Sequence, residues 1–265
     1  LLRPDFIEIY SHAKQRGLML TLFTNGTLVT DQVADTLAES PPTSIEITLY
    51  GATAPTYEAV TRVRDSYQRC LQGVEKLLAR GLNLSLKSVL MKTSLHELDQ
   101  MQGMAAAYGV DFRYDGVLWP RLDGSLPYRS ERLSPQELVA VEEAHPERLQ
   151  AWLEVYLDKS KHFPRAEYVY NCGAGFRSFH VDAMGRLTMC LMTRQPAYDL
   201  AQMPFSEAWE KLGAERERKR VLHTPCETCN LGGLCSQCTG WSQAVHHDLE
   251  SPVDYVCQLA KTRVD

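Results

Sequence analysis

The chain has 265 residues, 44% of them hydrophobic and 23% charged, with a formal net charge of -5. That is enough apolar material for one large globular domain, or for one domain with an appendage. No basic stripe points to nucleic acid, no apolar run approaches the roughly 20 residues of a membrane span, and no secretory signal is visible.

The chain opens Leu1-Leu2-Arg3-Pro4-Asp5, without a methionine, and runs straight into a helical pattern. From this we expect an upstream segment to be missing. Pro4 starts a helix whose face carries Phe6, Ile7, Tyr10 and Ala13, and Gly17 ends it. Leu18 to Phe23 is an apolar run that predicts a buried strand, and Thr24-Asn25-Gly26 is a turn. Val29 to Leu37 is expected to be helical, Ser44 to Leu49 a strand, and Thr56 to Val60 and Tyr67 to Leu78 helical, with Gly81 capping the last. Leu82 to Met91 predicts a strand, His96 to Tyr108 a helix and Val110 to Leu118 a strand. Four strands separated by helices imply βαβ units and a parallel sheet. Sites on such sheets lie at the carboxyl ends of the strands, which selects Thr24, Asn25, Thr48, Tyr50 and Asp115. Polar residues within the strands, Glu46, Ser85, Lys87 and Arg113 among them, are expected to face a barrel lumen or a site.

Residues 119–171 read as a bridge. Pro120, Gly124 and Pro127 mark a loop, Ser134-Pro135-Gln136-Glu137 opens a helix with an N-cap and a proline at its first position, and Pro146 to Leu157 is a second helix. Beyond them, Ser178 to Val181 and Arg186 to Met189 flank a turn at Gly185 and predict a β-hairpin. Phe205 to Arg220 predicts a charged amphipathic helix. The organisation expected is therefore 1–118, 119–171 and 172–265.

Seven of the eight cysteines fall in the last of these segments. They run Cys172-x12-Gly185-x4-Cys190, then Cys226-x2-Cys229-x5-Cys235-x2-Cys238, then Cys257. Disulfide scaffolds are short, with cysteines spread along the chain, whereas crowded C-x2-C pairs present thiolates to metal. The run from Cys226 to Cys238 alone suits one structural zinc. That would leave Cys172, Cys190 and Cys257 without a task, and two four-iron clusters use all seven. A reducing, cytoplasmic setting follows. Cys70 sits alone in a predicted helix and reads as packing.

The seven cysteines, in this order, resemble the SPASM domain of radical S-adenosylmethionine enzymes. The family pattern has three residues between the last two cysteines of the run, where this chain has Ser236 and Gln237 only. Leu20-Thr21-Leu22-Phe23-Thr24-Asn25-Gly26-Thr27 resembles the third-strand "TNG" motif of the same superfamily, and Ser44 to Gly51 its fourth strand. The opening Leu1 to Phe6 resembles the segment after the second-strand "GGEP" motif. The resemblance implies an α/β fold, a partial (β/α)6 TIM-like barrel lacking its first strands, followed by a small cysteine-rich α+β SPASM domain. It implies a first auxiliary 4Fe-4S cluster on Cys172, Cys190 and Cys238, with one iron open or held by a non-cysteine ligand, and a second on Cys226, Cys229, Cys235 and Cys257. The family's Cys-x3-Cys-x2-Cys loop, which binds the cluster that cleaves S-adenosylmethionine to a 5′-deoxyadenosyl radical, is absent from this sequence. A third 4Fe-4S cluster and S-adenosylmethionine are expected only in the full-length protein, and this chain alone is expected to be inactive.

The same resemblance makes Thr48 a candidate cofactor contact, with Asn25 in the same pocket or serving its turn alone; Lys87 and Arg113, charges within predicted strands, are candidate cofactor and substrate contacts or else a solvated face, and Asp115, near the end of the last strand, is a candidate substrate contact. His246-His247 and Asp248 read as surface loop, and Trp241 as a shield for a cluster. The function implied is a maturase that abstracts hydrogen from a peptide or protein, with an electron donor such as flavodoxin or ferredoxin; smaller substrates also occur in the family. The rival is a non-catalytic iron–sulfur or zinc protein of the same fold that binds a peptide or partner.

Overall fold

The computed structural model describes residues 1–158 and 167–264. Part of the predicted bridge, residues 159–166, lies outside them. The chain parts into two compact units: Leu1–Leu118 with Ser130–Leu133, and Trp119–Arg129 with Ser134–Asp265. The two predicted bridge helices fall in the second unit.

The first unit is built on four parallel strands in sequential order: β1 (Thr21–Thr24), β2 (Ser44–Thr48), β3 (Leu84–Val89) and β4 (Asp111–Asp115). The register pairs Phe23 with Glu46, Thr48 with Lys87, Lys87 with Arg113, and Val89 with Asp115. Burial alternates along the strands. Ile45, Ile47, Leu84, Leu86 and Ser88 are buried, while Glu46, Thr48, Ser85 and Lys87 between them are only half-buried. A doubly wound sheet buries both faces under helices. Sequential parallel strands with one apolar face are instead the arc of a barrel, helices outside and the polar face inside.

Helices α1 (Phe6–Gln15), α2 (Asp31–Glu39), α3 (Ala54–Thr61), α4 (Ser66–Leu78) and α5 (Leu98–Tyr108) connect the strands. Thr30 caps α2 by accepting the Val33 N–H, and Thr53 caps α3 by accepting from Thr56. Gly73 of α4 lies against the turn after β1. A Cβ there would stand 2.2 Å from the Gly26 carbonyl oxygen, so only glycine lets the two backbones meet. Most boundaries move by one or two residues from expectation, and two move by three. Leu18 and Met19 are exposed and serve to return the chain from α1, so β1 starts at Thr21. β4 stops at Asp115, whose carboxylate accepts the Val117 N–H and turns the chain.

In the second unit, α6 (Pro135–Glu143) opens on the expected cap: Ser134 and Glu137 satisfy each other's backbone N–H groups as a capping box. It packs against α7 (Pro146–Leu157) and against the last helix, α10 (Asp254–Thr262). The hairpin is β5 (His180–Val181) with β6 (Arg186–Thr188), Gly185 taking a φ of 79° in its turn. A third strand not foreseen, β7 (Ala197–Asp199), adds to β6. α8 (Phe205–Arg216) ends four residues early because the chain then pairs back: the Val169 N–H donates to the Arg218 carbonyl and the Arg220 N–H to that of Glu167. α9 (Thr239–His246) and α10 were also not foreseen. A small core of Tyr170, Leu187, Met189, Ala208 and Leu212 fixes the hairpin to α8.

Candidate functional site

The polar face of the β1–β4 sheet gathers three of the five residues expected to contact cofactor or substrate. Thr48 and Lys87 are neighbours in register, and Arg113 follows Lys87 on the next strand. Both cations converge on Glu46. The Lys87 ammonium lies 3.6 Å from Glu46 Oε2, and the Arg113 guanidinium donates to the same oxygen through two nitrogens. Lys87 also stands 3.9 Å above the Phe23 ring, a favourable cation–π geometry. Burial holds the Lys87 ammonium below its usual value; Glu46 opposes this and Arg113 reinforces it. Two cations thus share one carboxylate, and Asp111 and Asp115 alternate with Arg113 along the same face of β4.

Asn25 and Asp115 do backbone work at the strand ends. The Asn25 side-chain oxygen accepts from the Thr27 N–H at 3.2 Å and the Thr27 hydroxyl at 2.9 Å. Asp115 accepts the Val117 N–H at 2.9 Å. Both side chains are exposed. Tyr50 packs edge-on against Tyr57. One residue that sequence reasoning missed is Glu97. It is buried, and it accepts from the Ala52 and Thr53 N–H groups and from the Thr53 and Thr56 hydroxyls. These donors hold its carboxyl below the ordinary range although burial opposes them. The segment after β2 is thereby tied to the start of α5.

In the second unit, Cys172, Cys190, Cys226, Cys229, Cys235 and Cys238 line one cavity of about 320 Å³. All eight cysteines are free thiols. Each is delivered by a different piece of local structure. Cys190 follows β6, Cys226 lies in a one-turn helix begun by Pro225, Cys238 immediately precedes α9, and Cys257 lies in the first turn of α10. Gly240 permits the close approach of α9, since a Cβ there would stand 2.5 Å from Met192 Cβ.

The electrostatics of the thiols sort them. Burial pushes Cys235 up to about 11; the Gln237 backbone N–H opposes this, and Cys257, Cys226 and Cys229 add to it. Burial also raises Cys257, opposed by the Gln237 side chain and reinforced by Cys226 and Cys229. Cys238 is raised by burial too, but its thiol neighbours are Cys190 and Cys172. Cys238 thus lies within electrostatic reach of Cys190 and Cys172, and Cys235 and Cys257 within reach of Cys226 and Cys229. N–H donors already face sulfur: Thr193 N to Cys190 Sγ at 3.2 Å, and Gln237 Nε2 to Cys257 Sγ at 3.3 Å. Among the described residues no three His, Cys, Asp or Glu converge on a single-ion point, as sulfurs about 2.3 Å from one zinc would have to. Soft thiols around a roomy cavity, with donors aimed at their sulfurs, fit iron–sulfur clusters.

Gln237, a second missed residue, sits inside the shortened gap between Cys235 and Cys238, and that gap was the one signal for it. Its amide also donates to the Val253 carbonyl at 2.9 Å and accepts the Val253 N–H at 3.1 Å, so it clamps the start of α10. Trp241, expected beside a cluster, is buried against Trp119 at 4.4 Å and Tyr255 at 6.0 Å. Its neighbours Gly240 and Ser242 line the cavity instead, because successive helical residues point to different sides. His246 and His247 end α9, His247 in a left-handed cap, and Asp248 accepts the N–H groups of Glu250 and Ser251.

Residues 1–103 match the model of the Radical SAM superfamily. Members of that superfamily are enzymes. The chain is 24% identical to the AdoMet-dependent heme synthase of Methanosarcina barkeri, over 94% of its own length and 77% of that protein's. It is 22% identical to the PqqA peptide cyclase of Methylorubrum extorquens, over 86% of its own length and 62% of the cyclase. Among solved structures, SuiB of Streptococcus suis bound to its precursor peptide SuiA matches 89% of the chain with a TM-score of 0.67 and 14% identity. That likeness is one of fold. The chain spans 58% of SuiB. Among the described residues no helix is long and apolar enough to cross a membrane.

Proposed function

We propose that this chain belongs to a radical S-adenosylmethionine maturase of the cytoplasm that modifies a peptide or protein. The first unit would hold S-adenosylmethionine and substrate, and the second, a SPASM domain, two auxiliary 4Fe-4S clusters. The observation that carries the reading is the sorting of seven thiols into Cys172, Cys190 and Cys238 on one side and Cys226, Cys229, Cys235 and Cys257 on the other. Three and four thiols, six of them lining one cavity, are what two clusters need, one of them with an iron left for another ligand. Bound clusters supply one-electron chemistry and a Lewis-acidic iron.

The residues of the chain would do the rest. Lys87 offers a cation for the carboxylate of S-adenosylmethionine, and Thr48 beside it a hydroxyl. Asn25 lies at the adjoining strand end. Glu46 holds Lys87 and Arg113 in place, so both arrive ordered. Arg113 and Asp115, on the outermost strand, face the substrate. The Cys-x3-Cys-x2-Cys that generates the radical would come from sequence upstream of Leu1, and the electron from a flavodoxin- or ferredoxin-type donor. The similarity to a peptide cyclase and the peptide bound to SuiB favour a peptide substrate. The heme synthase leaves a small-molecule substrate as the second reading.

Anaerobic purification followed by iron, sulfide and zinc analysis tests the cluster assignment. About eight irons are expected for this chain, while a single zinc and no iron would overturn it. Upstream sequence encoding Cys-x3-Cys-x2-Cys is expected. Its absence would favour the non-catalytic rival. Incubation with candidate precursor peptides and with iron-free porphyrins, read by mass change, separates the two substrate readings.

A further inference from the structure

The cysteine cavity has a polar group that nothing in the protein satisfies. Tyr170 is 2% exposed, and its hydroxyl is buried without a hydrogen-bond partner. A buried unpaired hydroxyl forfeits its hydrogen bonds to water, and native structures keep few of them without a reason. The residue lines the cysteine cavity two positions before Cys172. Its ring is fixed in the core formed with Leu187, Met189, Ala208 and Leu212, so the hydroxyl has little freedom to find a partner elsewhere. The thiols it feels are Cys190 and Cys172; Glu215 and Arg218 are the charged groups near it, and neither bonds it.

Asn171, next along the chain, carries a second orphan, its side-chain oxygen. The two orphans differ in what they offer. An amide oxygen only accepts, and has nothing to give an electron-rich sulfur. A phenol donates.

We propose that the Tyr170 hydroxyl donates a hydrogen bond to a sulfur of the cluster held by Cys172, Cys190 and Cys238, and so sets its reduction potential. The proposal rests on the two-cluster reading above. A donor to sulfur stabilises the more negative, reduced cluster and raises its potential. Tyr170 is thus a positioning and tuning residue for the set with three cysteines. The set of four has Gln237 in the corresponding place.

The test is Tyr170→Phe, which keeps the ring and deletes the donor. The protein is purified anaerobically, and both clusters are titrated with low-potential reductants and followed by EPR. Unchanged iron content is expected, with one midpoint moved to a more negative value and the other unmoved. The shifted cluster should be the one that remains in the Cys226→Ala/Cys229→Ala double variant. In deuterated buffer, the reduced cluster should show a coupled exchangeable deuteron that disappears in Tyr170→Phe. Full iron with both midpoints and the deuteron coupling unchanged overturns the proposal and leaves the two-cluster reading standing. Wild-type protein without iron overturns that reading instead. If Tyr170→Phe does not load, 3-fluorotyrosine placed at position 170 strengthens the donor within the same packing. The midpoint should then move positive, and an unmoved midpoint overturns the proposal.

Discussion

Arg263 and Glu142 are 121 positions apart in the chain and meet through two parallel hydrogen bonds, Nε to Oε2 at 2.9 Å and Nη2 to Oε1 at 2.7 Å. Their side chains are 6% and 7% exposed. Arg263 also donates to the Leu234 carbonyl and stacks over Trp152 at 3.8 Å. This ties the C-terminal end of α10, the helix that carries Cys257, to α6 and to the turn before Cys235.

Removing one partner of such a pair leaves a buried charge uncompensated. Arg263→Met should therefore destabilise the second unit by about 3–5 kcal/mol. Arg263→Met with Glu142→Leu should recover most of that loss, because no unpaired charge remains. Chemical denaturation of the three proteins, followed by Trp fluorescence, checks the order.

Gly73→Ala forces a Cβ to 2.2 Å from the Gly26 carbonyl oxygen, and backbone must shift on both sides. A loss of about 1–3 kcal/mol or more is expected. Gly103→Ala, in α5 with nothing within 4 Å of the added Cβ, should instead gain about 1 kcal/mol from helix propensity. Thermal unfolding of the pair distinguishes steric contact from propensity.

Cys70 is fully buried in α4, and burial pushes its thiol up to about 11. An unfolded thiol titrates near 8.5. The neutral thiol therefore favours the folded state below about pH 8.5. That contribution, on the order of 3 kcal/mol, is lost as pH rises toward 11. Cys70→Ala should lose stability to its smaller side chain at every pH, yet its stability should fall less between pH 8 and 10.5. Urea midpoints across that range give the comparison.

Lys87→Met leaves Glu46 paired with Arg113, so the sheet should keep its fold. Affinity for S-adenosylmethionine should fall about tenfold, the loss of one charged hydrogen bond. Equilibrium dialysis of the folded variant measures it. Unchanged affinity would mean that Lys87 serves Glu46 alone.

Gln237→Leu strips Val253 of both its side-chain partners and Cys257 of its N–H donor. A loss of about 1–3 kcal/mol is expected, with faster iron loss to a chelator from one cluster than from the other.

The strand–helix alternation of the first unit was legible in the sequence because β2 and β3 write it residue by residue: Ile45 and Ile47 buried beneath the helices, Glu46 and Thr48 on the polar face. The convergence of Lys87 and Arg113 on Glu46 was not, since register, and not sequence distance, makes neighbours of three strands. The cysteine spacing marked the second site, but α9 and α10 were missed. Thr239 to His246 mixes small and polar residues without a strong period; α10 does carry a helical period in Val256, Leu259 and Ala260, with Asp254 at its start and Lys261 at its end, which the reading of Cys257 as a lone ligand passed over. Glu97 escaped notice because its four donors come from residues 52–56, more than forty positions away. Tyr170 reads as one more aromatic in an apolar stretch, and only the burial of its hydroxyl sets it apart.

The alternation in β2 and β3 has a consequence for how this protein can change over time. The two faces of one strand are written in interleaved letters, one alphabet packed into the core and one left polar. Substitutions at Glu46, Thr48 or Lys87 can rewrite the charge of the polar face while Ile45, Ile47 and Leu86 keep the scaffold intact. A lineage can thus vary that face without first surrendering its architecture.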